Sequence, residues 1–346
     1  MGFYEAVVRP LAFRLDPEAT HDLALRLIST GALRGKRFSN EILEQELFGV
    51  RFANPLGLAA GFDKNGVALD HWANLGFGFV EVGTVTPLEQ PGNPKPRLFR
   101  LPKHRALVNR LGFNSEGCKL VASRLAFARP GIPVGINVGK NRDTPNDRAA
   151  NDYLRALRTL SGRADYAVIN VSSPNTVGLR ELQERQALED LLSQVSEALP
   201  DVKLFVKVSP DLTPSQLTDV VEVAHERRLT GIIAANTTLQ RPGLEDESCP
   251  SGGLSGLPLA PLTDAVLEEL YRSCDHSMTL IGVGGIMNAD DLFRKLSLGA
   301  HLCQIYTGWV YGGPALVPQL LKRLVARMEA EGIRSLCELR GSAVKP

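Results

Sequence analysis

The chain lacks most of the features that would assign it quickly. Its cysteines, Cys118, Cys249, Cys274, Cys303 and Cys337, are scattered with no C-x-x-C pair. That argues against a disulfide framework, a zinc knuckle or an iron–sulfur cluster and fits a reducing compartment. The histidines form no H-E-x-x-H, so no metal site is expected. Lys+Arg 39 against Asp+Glu 38 leaves a net charge of +1, and no long basic run occurs, so no nucleic-acid partner is expected. No apolar run approaches the roughly 20 residues that span a bilayer. The N-terminus carries no signal-peptide core with a cleavage site, and no internal repeat is visible. What remains, 346 residues that are 44% hydrophobic and 22% charged, is an ordinary globular profile with length for one large core.

Residues 1–40 read as a helical extension, with no domain boundary in 41–346. Phe3, Tyr4, Val7, Val8, Leu11 and Ala12 follow a helical spacing interrupted by Pro10. Asp16-Pro17-Glu18 then starts a second helix: Asp as N-cap, Pro at the first helical position, Glu in the first turn. Leu23, Leu25, Leu27 and Ile28 follow, ending near Gly31. Two readings stand: a helical pair packed on the main domain, or an amphipathic element at a membrane surface or at the mouth of a lipophilic ligand site.

From residue 50 eight short apolar runs alternate with helical stretches. The runs are 55–60, 79–85, 134–138, 166–171, 204–208, 231–235, 280–283 and 302–306. The helices are expected at 65–75, 115–128, 148–161, 184–199, 214–228, 260–272, 288–298 and 314–332. Eight such alternations indicate an α/β chain folded as a (β/α)8 TIM barrel. A doubly wound sheet is the alternative, without the G-x-G-x-x-G after the first strand that usually supports it. Two connections, 86–114 and 238–258, are long enough to be functional or disordered.

A barrel delivers all its strand C-termini to one face. Read in order, those ends carry Asp63 and Lys64, Thr84, Asn137, Asn170 and Ser173, Lys207, Asn236 and Thr237, Gly284-Gly285, and Tyr306-Thr307-Gly308. Lys207 interrupts an apolar run, so it needs an anionic partner or a lowered pKa; a structural carboxylate would serve as well as a ligand. Gly284-Gly285 before a helix, with Thr307-Gly308, suits a phosphate site, Ser255-Gly256 adding donors; a bare tight turn is the alternative. Asn170 to Thr176 (NVSSPNT) offers amides that donate and accept, and a serine as proton acceptor, or else a polar turn with an Asx cap.

With these residues in hand, the chain resembles the class 2, quinone-dependent dihydroorotate dehydrogenases. The resemblance covers nearly the whole chain. It rests on residues 54–64 (NPLGLAAGFDK), 81–87 (EVGTVTP), 96–100 (PRLFR), 109–114 (NRLGFN), 170–176 (NVSSPNT), 235–238 (ANTT), 252–256 (GGLSG) and 282–286 (GVGGI). Phe62 and Thr307 are small departures, where close relatives often have Leu and some have Ser.

The resemblance implies oxidation of dihydroorotate to orotate in pyrimidine biosynthesis, with hydride passing to FMN and then to ubiquinone or menaquinone. It makes Ser173 the catalytic base; the related soluble class has cysteine in that loop. Lys64, Asn109, Asn170, Asn175, Asn236 and Thr237 would hold substrate, with Arg110, Leu111, Gly112 and Phe113 as a lid. FMN contacts would come from Ala60, Gly61, Phe62, Asp63, Lys64, Thr84 and Asn137. Asn170, Lys207, Ala235, Gly256, Gly285, Tyr306 and Thr307 complete that set. His21, Arg100 and Tyr306 would line a quinone tunnel under the N-terminal helices. A monomer, peripheral on the cytoplasmic face of a bacterial inner membrane, is the corresponding expectation. A fumarate- or NAD-coupled relative, a nucleobase reductase and a non-catalytic phosphate-binding barrel are the competing readings. Ser173, the extension and the asparagine set argue against the first two, and a colourless protein would favour the third.

Overall fold

A computed structural model describes residues 2–35, 37–244, 249–274 and 278–345. A hairpin comes first, β1 (Gln45–Leu47) and β2 (Val50–Phe52), and eight parallel strands then close a barrel. They are β3 (Leu56–Leu58), β4 (Phe79–Val85), β7 (Val134–Val138), β8 (Tyr166–Asn170), β9 (Leu204–Val208), β10 (Gly231–Ala234), β12 (Thr279–Val283) and β13 (Leu302–Ile305), with β13 pairing β3. The architecture is the (β/α)8 barrel that the alternation implies. Every strand residue of β4, β7, β8 and β9 is buried, because one face fills the barrel and the other meets the helices.

Outer helices follow the strands: α3 (Cys118–Phe127), α4 (Ala149–Leu160), α5 (Arg185–Ala198), α6 (Pro214–Glu226), α7 (Ala260–Ser273), α8 (Ala289–Ser297), the short α9 (Thr307–Gly312) and α10 (Leu316–Ala330). The first expected helix, 65–75, is shorter, a 3-10 turn over Leu69–Leu75. Asp63 explains this. Its carboxylate captures the backbone N–H of Val67 and Ala68 and the indole N–H of Trp72, holding 65–68 as a loop.

Along each strand side chains alternate, so residues two apart share a face. Inside the barrel Phe79, Tyr166 and Phe205 form a lower apolar layer with Ile233, Ile281 and Leu302. Gly57 and Gly135 make room for it: a Cβ there would stand 2.4 Å from the Phe79 ring and 2.1 Å from the Tyr166 ring. The hairpin turn, Phe48-Gly49, takes positive φ at both residues (43° and 78°) and drives the Phe48 ring against Phe52, Tyr166 and Phe205. This plugs the amino-terminal end of the barrel.

The two long connections pair with each other. β5 (Leu98–Leu101), β6 (Ala106–Asn109) and β11 (Gly253–Gly256) form an antiparallel sheet in the order β11-β6-β5 over the carboxyl face. The N-terminal helices lie beside it: a π-turn (Tyr4–Val8) running into α1 (Arg9–Ala12), then α2 (Pro17–Ser29). Pro10 has no N–H for a bond to Ala6, and the widened turn absorbs that loss without ending the helix. Asp16 caps α2 by accepting from Ala19 N at 2.9 Å. Among the described residues no helix is long and apolar enough to cross a membrane.

Candidate active site

Two residues beyond Phe79, Gly135, Phe205 and Leu302, the same alternation places Glu81, Asn137, Lys207 and Gln304, and Asn170, four beyond Tyr166, stands opposite Lys207. All five are buried polar groups. Glu81 is fully enclosed and accepts from Asn137 Nδ2 (2.8 Å), Gln304 Nε2 (2.5 Å) and Tyr166 Oη (3.3 Å). Lys207 Nζ stands 3.9 Å from it. Burial pushes the Lys207 pKa down, with Glu81 pulling the other way. The carboxylate partner is therefore structural, and Lys207 still lines the cavity above.

Because a carboxylate only accepts, Glu81 fixes the orientation of the amides over it. Asn137 must turn its NH2 down, leaving its carbonyl to accept from Thr84 Oγ1 (2.6 Å) and Asn170 Nδ2 (3.0 Å). The Asn170 carbonyl then accepts from Ser172 Oγ (3.1 Å), which accepts from Asn236 Nδ2 (3.0 Å). One directional line of donors runs from Asn236 on β10's loop down to Glu81.

Above this floor lies a cavity of about 1050 Å³, counting its open mouth. Ser173, Asn109, Asn170, Asn175, Asn236, Thr237 and Lys64 all line it, as do Leu111, Gly112 and Phe113 from the roof. Gly112 and Phe113 both adopt positive φ (70° and 55°), uncommon for a phenylalanine. The polar-turn reading of 170–176 holds too: Asn170 Oδ1 accepts from Ser172 N and Ser173 Oγ from Asn175 N. The buried Thr176 Oγ1 has no partner among the described residues. Lys64 Nζ donates to Asn114 Oδ1, and burial, reinforced by Arg97, lowers its pKa to about 7.

At the other end Ala60, Gly61, Thr84, Ala235, Gly256, Gly285, Tyr306 and Thr307 line the same cavity. The Ser255 and Thr307 hydroxyls lie 2.8 Å apart. At Gly285 (φ 77°) a Cβ would sit 2.4 Å from that of Ala260, so α7 presses directly on this turn.

A second cavity opens beside the first, between α2 and the loop after β3. His21, Phe62, Leu25 and Tyr306 line it, and Gly61, Lys64 and Tyr306 border both cavities. His21 Nε2 donates to the Phe62 carbonyl at 2.9 Å, and burial lowers its pKa to about 4, so it is neutral at pH 7. The Phe62 ring contacts Trp72, Trp309 and Tyr306.

Five expected site residues stand elsewhere. The Asp63 carboxylate is committed to the loop bonds above and turns from the main cavity. Phe62 faces the second cavity, and Asn137 is fully enclosed in the floor network, bonded to Glu81, Thr84 and Asn170, and does not line the first. The Arg110 guanidinium points outward, to the Pro96 carbonyl (3.1 Å), Ser251 (2.9 Å) and the Phe99 ring. Arg100 lines neither cavity; it lies 4.7 Å over the Phe13 ring and donates to Leu15 O. The sequence reading missed Glu81 and Gln304, although both share the period-2 parity that singles out Lys207.

A closed parallel barrel with this polar pocket at its strand ends defines a (β/α)8-barrel enzyme. The comparisons narrow that class. The family model described as dihydroorotate dehydrogenase matches residues 42–328. A Thermus thermophilus protein named dihydroorotate dehydrogenase (quinone) is 50% identical over 341 residues, covering 95% of this chain and 98% of its own length. A Gloeobacter violaceus protein of the same name is 45% identical, covering 97% and 98%. A crystal structure of DHODH from Eimeria tenella in complex with ferulenol superposes with a TM-score of 0.91 at 36% identity, covering 97% of this chain and 99% of that one. The chain belongs to the dihydroorotate dehydrogenase family.

Proposed function

We propose that this chain oxidises (S)-dihydroorotate to orotate, with FMN in the main cavity, Ser173 as base and a membrane quinone as final acceptor. One observation carries the reading: Ser173, four asparagines, Lys64 and the buried Lys207 converge on a single cavity.

The residues present suit FMN. Gly256, Gly285, Ser255 and Thr307 would hold the phosphate, at two positive-φ glycines whose backbone packs too closely on its neighbours to admit a side chain. Thr84, Asn170 and Lys207 would hold the ring. The Gln304 carbonyl on the floor is buried without a partner among the described residues, an acceptor suited to a ring or ribityl donor. When bound, FMN supplies the hydride acceptor.

The chain's own groups do the rest. The asparagines match the donors and acceptors of a cyclic diamide, and Lys64 meets its carboxylate. Ser173 takes the proton from C5. Its hydroxyl is un-ionised at neutral pH, so it needs an onward acceptor. The unpartnered Thr176 hydroxyl is available to a water relay. Lys207 offsets negative charge gained at the ring.

Residues 1–40 are assigned to quinone access and 41–346 to catalysis. Phe3, Leu11, Leu15 and Leu23 are all more than half exposed on or beside the N-terminal helices, which suits docking on lipid. A monomer at the cytoplasmic face of the inner membrane follows from this reading.

The test is an anaerobic visible spectrum of the purified protein. Dihydroorotate is expected to bleach a flavin band near about 450 nm, and a soluble quinone to restore it. A bound flavin that does not bleach refutes the substrate; a protein that neither carries nor takes up FMN refutes the reading.

A further inference from the structure

The N-terminal helices also touch the substrate side, through one ion pair. Arg97, at the start of β5's segment, is 7% exposed. Its Nε lies 3.2 and 3.1 Å from the two carboxylate oxygens of Glu18, in the first turn of α2, and its Nη2 donates to Oε1 at 2.7 Å. Lys95 adds a second cation at 3.3 Å. The other arm of the guanidinium, Nη1, donates to the carbonyls of Pro91 (2.5 Å) and Asn93 (2.8 Å). Asn93 in turn donates from Nδ2 to the carbonyls of Asn175 and Arg110, both at 3.0 Å. Asn175 Nδ2 donates to Asn109 Oδ1 at 3.1 Å. A continuous chain thus runs from the helix assigned to quinone access to two amides assigned to substrate.

We propose that Glu18 and Arg97 are positioning residues for dihydroorotate, clamping the Asn93 loop so that Asn109 and Asn175 are set for the substrate. The inference rests on the functional reading above. The geometry suits it: a planar guanidinium satisfies a carboxylate with one edge and two carbonyls with another, which a lysine cannot reproduce. Removing Glu18 leaves a buried arginine without its principal counter-charge, and the loop it holds is free to shift. Lys64, the cation assigned to the substrate carboxylate, feels the same pair, since Arg97 lowers its pKa and Glu18 raises it. Deleting the helices is therefore expected to impair the dihydroorotate half-reaction as well as quinone reduction.

The test is single-turnover flavin reduction by dihydroorotate in full-length holoprotein, without quinone. Glu18→Gln is expected to raise the dihydroorotate Kd about tenfold while the limiting reduction rate changes less than threefold. Glu18→Asp, which keeps the charge, is expected to recover most of the affinity. Ala19→Ser, on the same helix but exposed, is expected to leave Kd unchanged. If Glu18→Gln fails to fold, Arg97→Lys is read in the same way. A Kd within twofold of the parent, even with lowered thermal stability, makes the pair merely structural and overturns the proposal. Should the parent itself not be reduced by dihydroorotate, the functional reading has failed and the clamp falls with it.

Discussion

The floor and the roof of the main cavity are held by different means. Five parallel strands contribute the floor, and its polar groups hang from a carboxylate with no solvent exposure at all. The roof comes from β5, β6 and β11 and the described residues beside them, pinned by antiparallel pairing and by the ion pair to α2. A strand-end side chain is placed by the ladder on both sides of it, whereas a loop side chain is placed by the few groups that reach it. The floor is thus suited to a resident cofactor, and the roof to ligands that come and go.

The sharpest break of this comparison is Ser173→Ala. Ser173 is on the roof side of Asn170 and, among the described residues, makes no bond to the floor network. Flavin reduction by dihydroorotate is expected to fall about 10²–10⁴-fold, with the flavin spectrum and thermal midpoint unchanged. An unaltered rate in stopped-flow absorbance would remove Ser173 from the base role.

Glu81→Ala attacks the floor instead. It strands Lys207 and leaves Asn137, Tyr166 and Gln304 with donors facing each other. Breaking a buried pair of this kind costs about 3–5 kcal/mol. The expected outcome is a large drop in unfolding midpoint with loss of FMN, read by calorimetry and by released flavin fluorescence. A midpoint close to the parent's would mean that the strands, rather than the carboxylate, order the floor.

How much of each region was legible in the sequence follows the same division. The barrel strands announce themselves as local runs, and a buried Lys207 among Leu-Phe-Val-Lys-Val demands a partner. Glu81 sits in an equally apolar run, Phe-Val-Glu-Val-Gly-Thr-Val, and by the same reasoning demands a partner on another strand. Roof pairing, β6 with β11, joins residues 106–109 to 253–256, and nothing local in either loop signals it. Asp63 shows the limit at one residue. It adjoins Lys64, yet which of the two faces the cavity depends on Val67, Ala68 and Trp72 capturing the carboxylate. The β1–β2 hairpin escaped because its turn is Phe-Gly, without the Asn-Gly or Asp-Gly that marks such turns.

A smaller effect probes the outer side of the roof. Leu11→Ser with Leu23→Ser removes two exposed apolar side chains from the extension and alters no hydrogen bond of the clamp. Vesicle partitioning is expected to weaken about tenfold, since each side chain loses part of the roughly 1.5–3 kcal/mol of full burial. The dihydroorotate half-reaction in detergent should not change. Equal partitioning of parent and variant in flotation assays would remove lipid docking from the account.

The smallest expected effect separates Lys64 from Ser173 by pH alone. Burial lowers the Lys64 pKa to about 7 in the free protein. A lysine must be protonated to meet a carboxylate, so affinity is present below that value and is lost as pH rises through it. Between pH 7 and 8 the protonated fraction falls about fivefold, and the dihydroorotate Kd is expected to rise by that factor. Ser173 works in the opposite direction: export of its proton becomes easier as pH rises, so the limiting rate of flavin reduction should increase over the same interval. The sign for stability differs again. Holding a charged Lys64 in the empty cavity is unfavourable, so this residue's contribution improves from about pH 7 towards the unfolded value of roughly 10.4. Kd and limiting rate that both rise with pH are the expected signature. In Lys64→Met the rate should keep its slope while the Kd, weaker throughout, becomes flat. A Kd that still climbs in that variant would move the carboxylate partner away from Lys64.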